Sequence, residues 1–254
     1  MSRAAWAARS GAFDLRDLRQ TTCRRSRATL LGGVAAVMWV LTVLAVPGWS
    51  SDLRWHDPFA LCAGNCAVYA SLGMFTATAE SNSFGLNGDF IPDGGDYVAP
   101  WNYDYEDSFL VSAAVSRRVL SWGALASAEL EAGLGQRFGE MHATEVWGAL
   151  YLRWHAFPWN DLVRTTVAVS TGLNYASRIE ERERRRDGSG NGGAHLLHYL
   201  APELTFALPE RQDWEMVFRY HHRSGGGAFW GDSAHFNGVT GGANCAKVGL
   251  RHRL

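Results

Sequence analysis

His222 and Ser224 stand two residues apart at the end of the run Trp214 to Ser224, WEMVFRYHHRS. Side chains in a strand alternate between faces. The even positions are Trp214, Met216, Phe218, Tyr220, His222 and Ser224, an apolar face that ends in a base and a hydroxyl. The odd positions, Glu215, Val217, Arg219, His221 and Arg223, form a polar face. A base and a nucleophile on a greasy face point to attack on a substrate lying in lipid. Such chemistry needs a hydroxyl, a base to take its proton, and a group that fixes the base's tautomer. The closing segment NCAKVGLRHRL alternates in the same way, with Asn244, Ala246, Val248, Leu250, His252 and Leu254 on one face. Paired as an antiparallel hairpin, it places Asn244 on the face and at the end of His222 and Ser224. Ser224, His222 and Asn244 are therefore the candidate nucleophile, base and orienting group. Gly225, Gly226 and Gly227 follow, and their backbone N–H groups can turn toward an oxyanion at little steric cost. The bland alternative is that His222 and Ser224 only cap an aromatic strand at a membrane interface.

The elements that must carry these residues are strands. Eight candidates span 64–80, 106–120, 124–138, 142–157, 162–179, 195–208, 213–224 and 242–254. In 162–175 the odd positions Val163, Val167, Val169, Leu173 and Tyr175 face away from Arg164, Thr166, Ser170 and Asn174. Three connections are short, near 121–123, 158–160 and 209–211. Of the other four, 81–105, 180–194 and 225–241 are long, and 139–141 is short. Short turns on one rim and long loops on the other are the plan of an outer-membrane barrel. The fold expected is all-β: an eight-stranded antiparallel outer-membrane β-barrel. A soluble barrel also alternates, but with its apolar face inward. Here the polar set Glu129, Glu131, Arg137, Arg153, Arg164, Glu203, Arg219, Lys247 and Arg251 would face inward, as a salt-bridged interior.

Residues 28–49 carry no charge and follow Arg24, Arg25 and Arg27. They are expected to be a signal peptide, with an uncleaved anchor as the alternative. Residues 1–50 are thus assigned to an N-terminal extension and signal peptide, and 51–254 to the barrel. The 254-residue chain has a net charge of −1, which makes no case for nucleic acid. Cys62 and Cys66 are expected to form a local disulfide, as a metal site would need two further ligands. Cys245 is expected inside the barrel and reduced. No metal and no cofactor is expected. If the N-terminus starts in the periplasm, the site lies at the outer end, facing lipid beside lipopolysaccharide. The four arginines of ERERRRDGSGNGGA could then meet lipid phosphates, or the loop could be a flexible, solvated one. Of the other candidates, Asp232 could act as the third member if its loop folds back. His235 reads as a solvated loop residue, His221 as facing the lumen, and His252 as outward at the opposite rim.

The segment FRYHHRSGG, the glycine-rich loop and the closing GGANCAKVGLRHRL resemble the C-terminal hairpin of lipid A 3-O-deacylases of the PagL type. The match covers about 40 residues, and the rest agrees only in strand plan. The resemblance implies an outer-membrane esterase that removes a 3-O-linked acyl chain from lipid A without a cofactor. Its His-x-Ser motif falls on His222 and Ser224 as base and nucleophile. Three departures stand out: Asn244 where the family has an acid, Gly225 where it has Asn after the serine, and a longer connecting loop. The alternative is a non-enzymatic barrel, for adhesion or envelope integrity, that has lost activity. Lipopolysaccharide and outer-membrane lipid are the expected partners, and a homodimer is left open.

Overall fold

The computed structural model describes residues 52–79, 82–83, 97–225 and 236–254. The expected leader, Gly226, Gly227, Asp232 and His235 lie outside the described residues.

Where Leu, Val and Ala alternate with polar residues, the chain forms long strands. They are β1 (Leu53–Trp55), β2 (Cys66–Thr76), β3 (Tyr105–Trp122), β4 (Ala126–Gly139), β5 (Thr144–Trp154), β6 (Arg164–Ala176), β7 (Leu196–Leu200), β8 (Glu203–Ala207), β9 (Trp214–Ser224) and β10 (Gly242–Arg253). Every pairing is antiparallel. From β2 to β6 each strand pairs with the next, β6 pairs with β7 and β8, both of these pair with β9, and β9 pairs with β10. The ring closes where β10 pairs with β2. β7 and β8 are two halves of one ring strand, so the barrel has eight strands. The single strand expected over 195–208 is interrupted at Pro202, which has no N–H for the ladder. Its register does not shift: Leu200 faces His222 before the break and Glu203 faces Arg219 after it. β1 is an addition to the ring, lying against β3 at Leu120–Trp122, beyond the start of β2.

Exposure decides which face is the outside. Leu72, Val111, Val115, Leu134, Leu152, Val169, Phe218, Val248 and Leu250 are all exposed around the wall. The inner face is charged and buried. Arg219 donates to Glu131 at 2.7 and 2.8 Å and to Glu203 at 2.8 and 2.5 Å. Arg153 links Glu129 and Glu203, and Arg251 links Glu203 and Glu215. Removing one partner from such a set would leave a charge without compensation, at about 3–5 kcal/mol. Aromatic side chains fill the middle layer, with Trp147, Tyr151, Tyr199 and Tyr69 packed together. Gly133 makes room there, since a Cβ on it would lie 2.2 Å from the Trp147 ring. An apolar exterior around a salt-bridged interior is the membrane-spanning arrangement, not the soluble one.

Two expectations about charge are corrected. Arg164 is not a lumen residue: at the first position of β6 it is only partly buried and bonds Gln212 at the rim. The arginine-rich segment is not a free loop. It forms a short helix, α1 (Glu181–Arg186), with Glu183 buried. Arg182 and Arg186 pair with Glu106, and Arg185 pairs with Glu181. Arg182 and Arg186 are thus engaged within the protein, whereas Arg184 and Arg185 are exposed.

The short turns, 123–125, 155–163 and 208–213, share one rim. The long connections 77–104, 177–195 and 225–241 share the other with the short 140–143. At the short-turn rim Cys62 and Cys66 form a disulfide. The N–H of Gly64 bonds the Leu254 carbonyl at 2.9 Å, tying that loop to the end of β10. Cys245 is buried in the lumen as a free thiol.

Candidate functional site

β9 and β10 run in register with Asn244 opposite His222 and Gly242 opposite Ser224. The hairpin end closes tightly because two glycines carry no side chain. A Cβ on Gly225 would fall 1.4 Å from the Val239 carbonyl oxygen, and one on Gly242 would fall 1.7 Å from that of Arg223. The even parity of both strands then puts three polar groups on the outer wall at the long-loop rim.

His222 Nε2 lies 2.8 Å from Ser224 Oγ, and His222 Nδ1 lies 2.6 Å from Asn244 Oδ1. The tautomer follows from a fourth group. Asn244 Nδ2 donates to the Thr78 carbonyl at 3.0 Å. A carbonyl only accepts, so the amide nitrogen must face Thr78 and the amide oxygen must face His222. Nδ1 therefore carries the ring proton and donates it to Asn244. Nε2 keeps its lone pair and accepts from the Ser224 hydroxyl. This is the arrangement in which serine can lose its proton to histidine.

The Thr78 carbonyl is itself held in place. It also accepts from Tyr220 Oη at 3.0 Å, and its residue is fixed by bonds between Thr78 N and Thr76 Oγ1 and between Asp104 N and Thr78 Oγ1. Tyr103 packs edge-on against Tyr220, with ring centroids 6.2 Å apart. This chain lies over the outer wall beside the site. The three side chains were expected to face lipid. They do point outward, but His222, Asn244 and Ser224 are only 7 %, 8 % and 9 % exposed. The overlying chain at Thr78 is part of the physical reason, and it makes the site a covered one.

Among the glycines proposed for the oxyanion, Gly225 is buried and its carbonyl accepts from Phe236 N at 3.2 Å. His221 faces the lumen, 2.8 Å from Glu145 and 3.2 Å from Tyr199 Oη. His252 is at the far rim, stacked on Trp214. Two site groups were missed in the sequence. His198 on β7 lies directly opposite Ser224 on β9, with Nε2 2.9 Å from Thr171 Oγ1. Its even parity within 195–208 was a usable signal. Thr78 acts through a backbone carbonyl, which no side-chain pattern reports. Among the described residues there is no group of three or more His, Cys, Asp and Glu placed to hold a metal ion.

No family model and no curated protein matches the chain. Solved structures that align with it include the outer membrane enzyme PagL, at 10 % identity and a TM-score of 0.45, over 74 % of this chain and 99 % of that one. Neisserial surface protein A (NspA) aligns at 7 % identity and 0.42, over 77 % and 100 %. A de novo designed transmembrane β-barrel aligns at 7 % identity and 0.37, over 79 % and 100 %. At such identities none of the three speaks to chemistry.

Proposed function

We propose that this chain is an outer-membrane esterase that removes a 3-O-linked acyl chain from lipid A of lipopolysaccharide, in the envelope of a Gram-negative bacterium. The observation that carries this reading is the relay from Asn244 Oδ1 through His222 to Ser224 Oγ, on the outer wall of a barrel with an apolar exterior. The likeness of the C-terminal hairpin sequence to lipid A 3-O-deacylases supports the choice of ester. Ser224 attacks the ester carbonyl as His222 Nε2 takes its proton. The tetrahedral oxyanion is assigned to backbone amides of the glycine run that begins at Gly225. His222 returns the proton to the leaving sugar hydroxyl, and the acyl group stays on Ser224. Water, deprotonated by His222, then releases a 3-hydroxy fatty acid and restores the serine. Asn244 holds the ring by its Nδ1–H throughout. The chemistry needs no metal or cofactor. Residues 1–50 serve as extension and signal peptide, and the mature barrel is 51–254.

A second reading, a barrel for adhesion or envelope integrity without activity, is favoured by one observation. The group on His222 Nδ1 is an uncharged amide, which orients an imidazole but does not stabilise the imidazolium formed as serine attacks. Mass spectra of lipopolysaccharide from Gram-negative cells with and without this protein separate the two. Loss of one 3-hydroxyacyl mass, absent with Ser224→Ala, is expected of the esterase. Identical spectra from cells that carry the folded protein in their outer membrane reject it.

A further inference from the structure

The catalytic scheme leaves unused the connection between β6 and β7, yet this connection holds both arms of the hairpin that carries the site. On β9 it holds the residue between His222 and Ser224. Arg223 points to the opposite face and is fully buried. Its Nη1 donates to Glu183 at 2.7 and 3.0 Å, and its Nη2 donates to the carbonyls of Ala194 and His195 at 3.0 and 2.7 Å. Glu183 also accepts from Arg137 Nη1 at 2.6 Å, which stakes α1 to β4. On the β10 side the same connection holds the residues that lead to Asn244. Asp187 Oδ1 accepts from Thr240 N at 3.1 Å and from Thr240 Oγ1 at 3.2 Å. Asn191 Nδ2 donates to the Gly238 carbonyl at 2.6 Å. The approach is close: a Cβ on Gly241 would sit 2.7 Å from the Asp187 backbone.

We propose that residues 180–195 form a positioning clamp that sets the spacing of Ser224, His222 and Asn244, with Arg223 and Asp187 as its two points of grip. A charge run of this kind is ordinarily a solvated face. Here Glu183, Asp187 and Arg223 are buried and directed at the two strand ends. Strand ends at a loop rim are where a ladder is least constrained, and a displacement of about 1 Å in a reacting group can cost about 100-fold in rate. Arg223 shares its backbone with the base on one side and the nucleophile on the other, so fixing its guanidinium fixes both Cα positions. The clamp touches no substrate. Its residues are positioning residues, and their effect on rate rests on the esterase reading, whereas their effect on geometry does not.

Conservative variants test it. Arg223→Lys keeps the charge but cannot reach Glu183 and two carbonyls at once. Asp187→Asn weakens the grip on Thr240 without touching the lumen. Arg153→Lys makes the same exchange in the ion network at the other end of the barrel and serves as the control. Two readouts are taken on purified, folded protein in detergent micelles, with folding checked by the mobility shift on boiling. One is the split of fatty-acid release from lipid A into kcat and KM. The other is the proton NMR signal of the His222 Nδ1–H, assigned by its loss in His222→Ala. The expected result is a fall in kcat of about tenfold for Arg223→Lys and a smaller fall for Asp187→Asn, with KM unchanged. The His222 signal shifts or broadens in both and is unaltered in Arg153→Lys. The clamp is overturned if signal and kcat are unchanged in both folded variants, or if Arg153→Lys alters them equally. If the wild type releases no fatty acid, the esterase reading fails, and the His222 signal alone decides the clamp.

Discussion

Neighbouring histidines on one strand meet opposite surroundings. His221 faces the lumen, where Glu145, Tyr199 and Asn174 surround it at 2.8, 3.2 and 3.4 Å. His222 faces outward, bonded to Ser224 and Asn244. The lumen histidine has the carboxylate that a serine hydrolase uses, and among its described hydrogen bonds the hydroxyl partner is a tyrosine. The outer histidine has the serine, and its Nδ1 rests on an amide. One step of strand alternation separates them. The lesson is that an acid–histidine pair is not by itself a site. The lumen pair belongs to the ion network that includes Arg137, whereas the outer pair lies on the outer wall beneath the chain at Thr78.

His222→Ala should lower the rate of fatty-acid release by about 10²–10⁴-fold, the usual worth of a general base. His221→Ala should leave the rate near that of wild type. It should instead lower stability by about 1–3 kcal/mol, because Glu145 loses a buried partner. Rates in micelles and unfolding by denaturant, measured on both variants, check the pair. Equal losses of rate would mean that parity does not assign the base.

Asn244→Glu sharpens the same contrast by giving the outer histidine the acid that its neighbour has. An anion at that position would stabilise the imidazolium formed during attack. A gain of about 1.4 kcal/mol in the transition state is a tenfold gain in rate. Asn244→Ala should be slower than wild type, because the ring loses the group that fixes its tautomer. Initial rates of the three proteins at neutral pH are the check. If Asn244→Ala equals wild type and Asn244→Glu gives no gain, Asn244 is not the third member.

The smallest effect is one of pH and lies outside the barrel wall. Burial alone would raise the pKa of Asp187. Hydrogen bonds from Ser189 Oγ and from the backbone N–H groups of Thr240, Ser189 and Gly193 outweigh it and hold the carboxyl well below the usual carboxylate range. A group depressed in the folded state contributes stability above its unfolded pKa of about 3.9 and loses it as pH falls through the folded value. The 177–195 connection should therefore keep its amide protection down to about pH 4 and lose it progressively in more acid solution, before the strands lose theirs. Hydrogen exchange followed against pH checks this, and protection in the connection that is flat through the acid range contradicts it.

The parts legible in sequence were those set by local periodicity. Alternation in 162–175 and 213–224 placed Val169 and Phe218 outside and Arg219 inside. Asn244 could be placed on the face and at the end of His222 and Ser224 because both strands alternate and meet at the same loop. Long-range partners were not legible. ERERRR has the composition of a solvated face, and nothing within it signals that Glu183 finds Arg137 and Arg223 on β4 and β9. The cover over the site was hidden for a similar reason, because it acts through the Thr78 carbonyl. The break at Pro202 was not read, because 195–208 alternates as one strand, although proline removes a ladder donor. Arg164 was misplaced because parity does not say where the barrel ends.

The chemistry proposed for the site is cleavage of a lipid A ester by Ser224, activated by His222. Its most direct test is the acyl-enzyme itself. Purified wild type and Ser224→Ala, folded in micelles, are mixed with lipid A, quenched in acid within the first turnovers, digested and weighed by mass spectrometry. A 3-hydroxyacyl mass is expected on the peptide that contains Ser224 in wild type, with free 3-hydroxy fatty acid accumulating behind it, and neither in Ser224→Ala. Fatty-acid release by Ser224→Ala at the wild-type rate, or an acyl mass on another residue, would contradict it.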